Sequence, residues 1–314
     1  MCQTCDTYSP TIQINRGDPT RTTVLRNAFA QQMRNRFNNI ARGVMFAVDD
    51  LDVFGLRDTF LTQQVTPPGF RAFDFQSSSD QIEAFMRWLQ QQENNEILEL
   101  STFNRIGSSV EGAWTNIYIA DAYKRGIIRA RHELRKAGFD VPSLESTGGI
   151  DISFSSPFHA DRAALLFTRT FEGLKGITAQ MDTQISRVLA QGMMDGDGPA
   201  LLARKLVATI NGTGMGDLGI TDTLGRFIPA RRRAEMLART EIIRAHHQGM
   251  MQEYKNWRVE GVRVLIEWST AGDNRVCAIC EGFEGQTFTL EEINSLIPAH
   301  ISCRCVGIPV KVSN

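Results

Sequence analysis

The spacing of the cysteines near the C-terminal end is the feature that most restricts how this chain can fold. Cys277-x2-Cys280 is followed, after 19 residues, by His300-x2-Cys303-x-Cys305. A Cys-x-x-Cys pair places two thiolates on one tight turn, and a second pair from a distant segment can close a tetrahedral zinc site with Zn–S bonds of ~2.3 Å. Five candidate ligands compete for four positions, so the sequence leaves open whether Cys303 or Cys305 is the fourth ligand.

This donor set predicts a structural zinc ion and no catalytic role. Three or four cysteines with one histidine form a closed site, which stabilises a small domain that has too little hydrophobic core of its own and leaves no position for a substrate water. The zinc deaminase pattern requires His-x-Glu ahead of Pro-Cys-x-x-Cys, and this chain has no His-x-Glu. The alternative is a group of free or redox-sensitive thiols without metal.

Two further cysteines, Cys2 and Cys5, stand at the other end of the chain, and residues 6–276 contain none. Cysteine chemistry is therefore expected only at the two ends. The N-terminal pair belongs either to a disordered terminus or to a second metal clip that another segment or another subunit completes. The residues alone do not decide between these two interpretations.

Charge and hydropathy exclude several classes of protein. The 34 Lys and Arg residues nearly balance the 35 Asp and Glu residues, whereas a protein that coats nucleic acid is usually basic. The first residues lack the basic and apolar regions of a signal peptide, and no stretch of 18 apolar residues predicts a membrane span. We therefore expect synthesis in a reducing cytoplasm, where Cys-x-x-Cys is more often a metal or redox motif than a disulfide.

Hydrophobic periodicity predicts an α+β fold that is mainly α, with long helices in the N-terminal two-thirds. Apolar residues recur there every three or four positions, which is the pattern of amphipathic helices. The predicted helices run from Asp18-Pro19 to about residue 50, from about Ser79 onward, over 110–137 up to Gly138, as two or three helices over 158–210, and over 229–258.

The last part of the chain is predicted to be a small α+β module. Alternating apolar residues predict strands over 262–268 and 303–312, with a short helix near 290–296. A strand through Cys303 and Cys305 would point both thiols to the same side. The predicted regions are an N-terminal helical region at 1–145, a middle helical region with a glycine-rich loop at 146–228, and the C-terminal module at 229–314.

The adjacent histidines His246 and His247 are a weaker candidate site. Neighbouring residues on a helix diverge by about 100°, so the pair cannot bind one ion together. No His-Glu-x-x-His pattern is present. The sequence therefore predicts one buried, hydrogen-bonded histidine and one solvated histidine.

Several motifs in the C-terminal module recur in a fixed order, and together they resemble the phage Mu F-like minor head protein family, also called phage head morphogenesis proteins. They are the helical run Arg233–Glu241, with its Ala-Arg-Thr-Glu sequence, Trp268 followed by Asp273, the Cys-x-x-Cys pair, a glycine before an aromatic residue, and Pro298-x-His-x-x-Cys-Arg-Cys. The resemblance covers about residues 229–312. Ile301 follows the histidine where proline is common in the family, which changes the turn and keeps the ligands.

The resemblance implies a minor capsid protein of a tailed phage, present in few copies and associated with the portal, that acts in head assembly and in DNA packaging or delivery. Its implied location is the virion head near the portal, after assembly in the host cytoplasm. Implied partners are the portal protein, the major capsid protein and neighbouring copies of the chain. Packaged DNA is a candidate partner for the basic triplet Arg231, Arg232 and Arg233, which otherwise is a solvated helix start.

Two other classes of function are considered. A metal-dependent hydrolase or nuclease that acts on DNA during packaging would need an open metal position and a nearby carboxylate, such as Glu241 or Asp273. A zinc-finger adaptor that binds DNA is the third hypothesis, and the near-neutral charge argues against it.

Overall fold

A computed structural model describes residues 18–57, 78–105, 108–212, 227–259 and 264–311 of the chain. These residues are mainly helical and include small antiparallel sheets, which confirms the predicted α+β, mainly α class. Cys2, Cys5 and most of the glycine-rich loop predicted within 146–228 lie outside the described residues.

The long elements come first and the short ones cluster near the C-terminal end. The helices are α1 Thr23–Met45, α2 Ser78–Glu96, α3 Asn116–Lys136, α4 Ile150–Ser155, α5 Pro157–Asp195, α6 Pro199–Asn211, α7 Ala230–Val259, α8 Ala278–Phe283 and α9 Leu290–Leu296, with a π-helical turn at Phe46–Asp50 and a 3-10 turn at Glu145–Thr147. The strands are β1 Leu100–Arg105, β2 Ser108–Ala113, β3 Val264–Ser269, β4 Thr287–Phe288 and β5 Val306–Lys311.

The first helix begins later than predicted. Asp18 was expected to cap a helix directly, but its carboxylate instead accepts hydrogen bonds from the backbone N–H groups of Thr20 and Thr22, at 3.1 and 2.9 Å, and from the Thr23 hydroxyl at 2.8 Å. Arg21 adopts a left-handed φ of 55°. Asp18 therefore stabilises a turn, and α1 starts at Thr23 once that turn is complete.

A β-hairpin replaces the beginning of the predicted helix 110–137. β1 pairs antiparallel with β2, with Leu100 opposite Ala113, and α3 begins only at Asn116. The indole N–H of Trp114 donates to the carbonyl of Ile97 at 2.9 Å and fixes the end of the hairpin. Helical periodicity over a few residues cannot reveal such pairing, because the hydrogen-bond partners come from a separate strand.

The C-terminal sheet has the strand order β4-β3-β5, and both pairings are antiparallel. The predicted strand at 303–312 begins only at Val306, which pairs with Ser269. Cys303 and Cys305 therefore lie in the turn and loop before β5, and the same-side argument for a strand does not apply to them. The short helix α9 lies where the sequence predicts it.

The described chain forms two compact units, each built from separate stretches. One unit combines the residues up to Val24, Ala122–Ala160 and the residues from Ile243 onward, and the other combines Leu25–Asp121 with Asp161–Ile242. The three regions predicted from the sequence remain a prediction.

Two helices of the first unit approach each other at glycines. A Cβ atom on Gly126 of α3 would collide with the backbone carbonyl oxygen of His246, and one on Gly249 of α7 would collide with the carbonyl oxygen of Tyr123. Only glycine allows this backbone-to-backbone contact. The contact contributes to the complete burial of α7 at this level.

Both adjacent histidines are buried, so the prediction that one is solvated was wrong. His246 and His247 are 2% and 1% exposed. Burial lowers the pKa of His246 to about 3 and that of His247 to about 4, so both rings are neutral at neutral pH. His247 Nε2 lies 3.1 Å from the carbonyl oxygen of Ile293 in α9. Their role is to pack α7, because elements contact the helix on several sides.

We expect Gly126→Ala to destabilise the protein by about 1–3 kcal/mol, because the added methyl group must separate α3 from α7. Gly176→Ala is the matched control, since Gly176 also lies in a helix and a Cβ there meets no atom within 4 Å. This control should stabilise α5 by about 0.5–1 kcal/mol. Urea unfolding measures both free energies, and equal effects of the two substitutions would contradict the backbone contact.

A second buried feature, in the other unit, is a pair of carboxyl groups. Glu93 of α2 is 3% exposed and hydrogen-bonds Asp182 of α5. Burial, together with the charge of Asp182, raises the pKa of Glu93 to about 9. Burial also raises the pKa of Asp182, whose Oδ2 accepts from Gln90 Nε2 at 3.2 Å. Glu93 is therefore protonated at neutral pH and donates its proton to the Asp182 carboxylate.

A carboxyl group with a raised pKa opposes folding above its unfolded value of 4.5, and the penalty grows until the pH passes about 9. Glu93→Gln keeps a hydrogen-bond donor and stays neutral at every pH. We expect this variant to be more stable than the native chain at pH 8 by about 2 kcal/mol, with the difference vanishing near pH 4. Thermal unfolding across this pH range measures it, with the exposed Glu83→Gln on the same helix as the control; a pH-independent difference would refute the shared proton.

Candidate metal centre

The first pair of candidate ligands lies at the start of α8. Cys277 has an extended backbone and occupies the N-cap position, and its carbonyl accepts the N–H of Glu281 at 2.9 Å. Cys280 follows in the first helical turn, so both sulfurs lie on the same side of one tight turn. The backbone N–H of Cys280 donates to the sulfur of Cys277 and lowers the pKa of the Cys277 thiol.

The second pair lies on a tight turn before β5. The N–H of Cys303 donates to the carbonyl of His300 at 3.1 Å, and Ser302 closes this turn with a left-handed φ of 60°. His300 Nδ1 lies 2.8 Å from the carbonyl oxygen of Ile301. A carbonyl can only accept, so Nδ1 carries the proton and Nε2 presents its lone pair, which is how a second contact orients a metal-binding histidine.

The two turns meet through their side chains. His300 Nε2 lies 3.2 Å from Cys277 Sγ and 3.1 Å from Cys280 Sγ, and Cys280 Sγ lies 3.9 Å from Cys303 Sγ. The donor atoms form two groups that share Cys280, one with Cys277 and His300 and one with Cys303 and Cys305, and within each group they lie within 4.8 Å of one another. The structure thus brings all five predicted ligand residues into one cluster.

The donor set and its spacing fit a divalent cation that prefers sulfur and nitrogen. Zn–S bonds of ~2.3 Å place two sulfurs of a tetrahedral site ~3.8 Å apart, close to the 3.9 Å that separates Cys280 Sγ from Cys303 Sγ. Both cysteines are buried, as is Cys305, while Cys277 is half-buried. Such a cluster can hold an ion and shield it from water.

The thiols of the cluster differ in how readily they ionise. Burial raises the pKa of Cys280 to about 12, and the hydrogen bond from Cys305 lowers the pKa of Cys303 to about 5. The contact with Cys303 and burial together raise the pKa of Cys305. Several thiolates would repel one another in this buried position, and a bound cation would remove that repulsion.

An ion pair that sequence reasoning missed braces the second turn. Arg304, between the two C-terminal cysteines, donates two hydrogen bonds to Asp273, at 2.6 and 2.7 Å. These bonds hold the pKa of the Asp273 carboxyl well below its usual range and raise that of Arg304. Because Asp273 lies four residues before Cys277, the pair ties the two ligand segments together. The Cys-Arg-Cys motif was the signal that could have revealed it.

Aromatic packing supports the same region from below. Trp268 of β3 is fully buried, with its ring centroid 4.9 Å from that of Phe283 and 6.3 Å from that of Phe288. These rings and the cysteines Cys280 and Cys303 belong to one hydrophobic core cluster, which also includes residues of α7. The candidate metal centre is therefore an edge of the core.

The two carboxylates that a hydrolase would need have other partners. Both oxygens of Asp273 accept from Arg304. Glu241 is buried, accepts from Arg169 Nε at 3.4 Å, and belongs to the other compact unit. Neither side chain joins the described groups of donors that could hold a metal.

The three arginines of the basic triplet have different environments. Arg233 is 9% exposed and hydrogen-bonds Gln180, and its burial lowers its pKa. Arg231 and Arg232 lie 3.8 and 3.9 Å from Glu235, with 29% and 54% of their side chains exposed. Arg232 therefore presents the largest charged surface of the triplet, and the predicted DNA contact cannot use all three side chains equally.

The fold and the site together define a mainly helical chain whose small C-terminal sheet module carries a Cys/His cluster. Residues 183–308 match the model of the family described as Phage Mu protein F like protein. This region of the chain belongs to that family, which confirms the resemblance predicted from the sequence and extends it into α5. The family implies a phage head morphogenesis protein.

Searches of curated proteins and of solved structures gave no match. Among the residues that the structure describes, no helix is long and apolar enough to cross a membrane.

Proposed function

We propose that this protein is a minor head protein of a tailed phage that associates with the portal and acts in head assembly and in DNA packaging or delivery. The observation that carries the proposal is the match of residues 183–308 to the Phage Mu protein F like family, which includes the whole Cys/His cluster. Its location during assembly is the host cytoplasm, and its final location is the head near the portal.

Within this role, a zinc ion is proposed to stabilise the C-terminal module. The sheet β4-β3-β5 is small, with a two-residue strand at one edge. A sheet of this size buries little apolar surface, and a metal ion with three or four protein ligands compensates for that. Cys277, Cys280 and His300 would hold the ion together with a C-terminal cysteine, and the ion would supply the positive charge that stabilises their thiolates.

The module is proposed to bind protein rather than to catalyse a reaction. Ile279 and Ile301, which flank ligand residues on the two turns, are 60% and 59% exposed. Exposed apolar side chains on rigid turns suit docking to another protein, such as the portal protein, the major capsid protein or a neighbouring copy. The paired state of Asp273 supports a non-catalytic role, and a metal with three protein ligands and a water would instead favour the hydrolase or nuclease hypothesis.

We expect the protein to be present in purified virions and to co-purify with the portal protein encoded beside it. Mass spectrometry of density-purified particles measures the first, and affinity purification of the tagged chain co-expressed with that portal protein measures the second. A portal protein from an unrelated phage is the control and should not be retained. Absence of the chain from complete particles would contradict a role as a head component.

Removal of the metal should unfold the C-terminal module selectively. After chelation we expect faster hydrogen exchange over residues 264–311, while α1 and α2 keep their protection, because the ion would stabilise only the elements that carry its ligands. Addition of zinc should restore protection, which serves as the control for irreversible damage. Unchanged exchange and unchanged thermal unfolding after chelation would refute a structural metal.

A further inference from the structure

The five donors of the cluster fall into two matched turns and one remaining thiol. Cys277 and Cys280 are separated by two residues on the first turn, and His300 and Cys303 are separated by two residues on the second. The hydrogen bond from the Cys303 N–H to the His300 carbonyl makes those two residues members of the same turn. Two such turns, each with a donor at either end, supply the four ligands of a closed tetrahedral site.

Cys305 lies beyond the second turn, and its backbone position is determined by the sheet. The next residue, Val306, already pairs with Ser269 of β3. Cys305 itself is 3% exposed and lies within 4.8 Å of the sulfurs of Cys280 and Cys303. Its thiol can therefore contact a ligand sulfur without leaving the sheet register.

Charge also disfavours Cys305 as a further ligand. A divalent ion with three thiolates and a neutral imidazole carries one net negative charge, and a fourth thiolate would double it. Uncompensated charge is costly in an apolar interior, and Cys280, Cys303 and Cys305 all belong to the hydrophobic core cluster. A Cys305 that keeps its proton avoids this cost and can donate its S–H to a neighbouring thiolate.

We propose that Cys277, Cys280, His300 and Cys303 are the four ligands of one metal ion, and that Cys305 is a positioning residue whose thiol donates to the Cys303 sulfur. This assignment rests on the metal centre proposed above and selects between the two cysteines that the sequence left open. Outer-shell donors of this kind orient a ligand and tune its donor strength, and their loss costs about 10–100-fold in metal affinity.

The direct test is NMR of the full-length native chain loaded with the spin-active isotope of cadmium, which replaces zinc and couples to the protons of its ligands. We expect one cadmium signal that correlates with the β protons of Cys277, Cys280 and Cys303 and with the ring protons of His300. A correlation with the β protons of Cys305, or none with those of Cys303, would overturn the assignment. Two cadmium signals from one chain would also overturn it, since Cys280 would then bridge two ions.

Two matched variants, loaded with cobalt, provide an independent test. Cys305→Ala should keep one equivalent of metal and the charge-transfer band of three thiolates, with affinity weakened about 10-fold in a competition titration. Cys303→Ala should lose part of that band, because a ligand is removed. The opposite pattern, or an undiminished band in both variants, would overturn the assignment. Native chain that binds neither metal would remove the metal centre itself, while detection of the protein in virions would still support the head role.

Discussion

The C-terminal module depends on a buried meeting point of sulfur atoms and one imidazole at the edge of the hydrophobic core. Cys280, Cys303 and Cys305 are each at most 3% exposed, and they belong to the same core cluster as Trp268. Thiols so close together cannot all ionise unless a cation is present. The turns at α8 and before β5, and the ion pair that ties them together, are arranged around this requirement.

The helical part of the chain obeys a different constraint, which is close packing around α7. Gly126 and Gly249 let two helix backbones touch, and both central histidines are buried as neutral rings. Farther along α7, the buried carboxylate of Glu253 accepts from Arg131 Nε at 2.6 Å and from Trp257 Nε1 at 2.8 Å. Such polar groups are tolerated because each has a partner. A helix that is buried on most sides can support a module without a one-sided apolar face.

Long helices were predictable from the sequence, and short-range pairing was not. The apolar period located α1, α5 and α7 because a long helix repeats its pattern many times. The β1–β2 hairpin was missed, since its stability comes from hydrogen bonds between strands rather than from a local period. The start of α1 was misplaced because the side chain of Asp18 stabilises a turn that competes with the helix.

The sequence by itself determined the chemistry of the site: which donor types are present, their order, and the family to which residues 183–308 belong. Only the tertiary structure decided which atoms face one another. It presents the Nε2 atom of His300 to the sulfurs by engaging Nδ1 with the Ile301 carbonyl, and it pairs Arg304 with Asp273 across 31 positions of the chain. Spacing along the chain specifies which residues can share a turn, whereas the packing of separate segments sets the distances and partners on which binding depends.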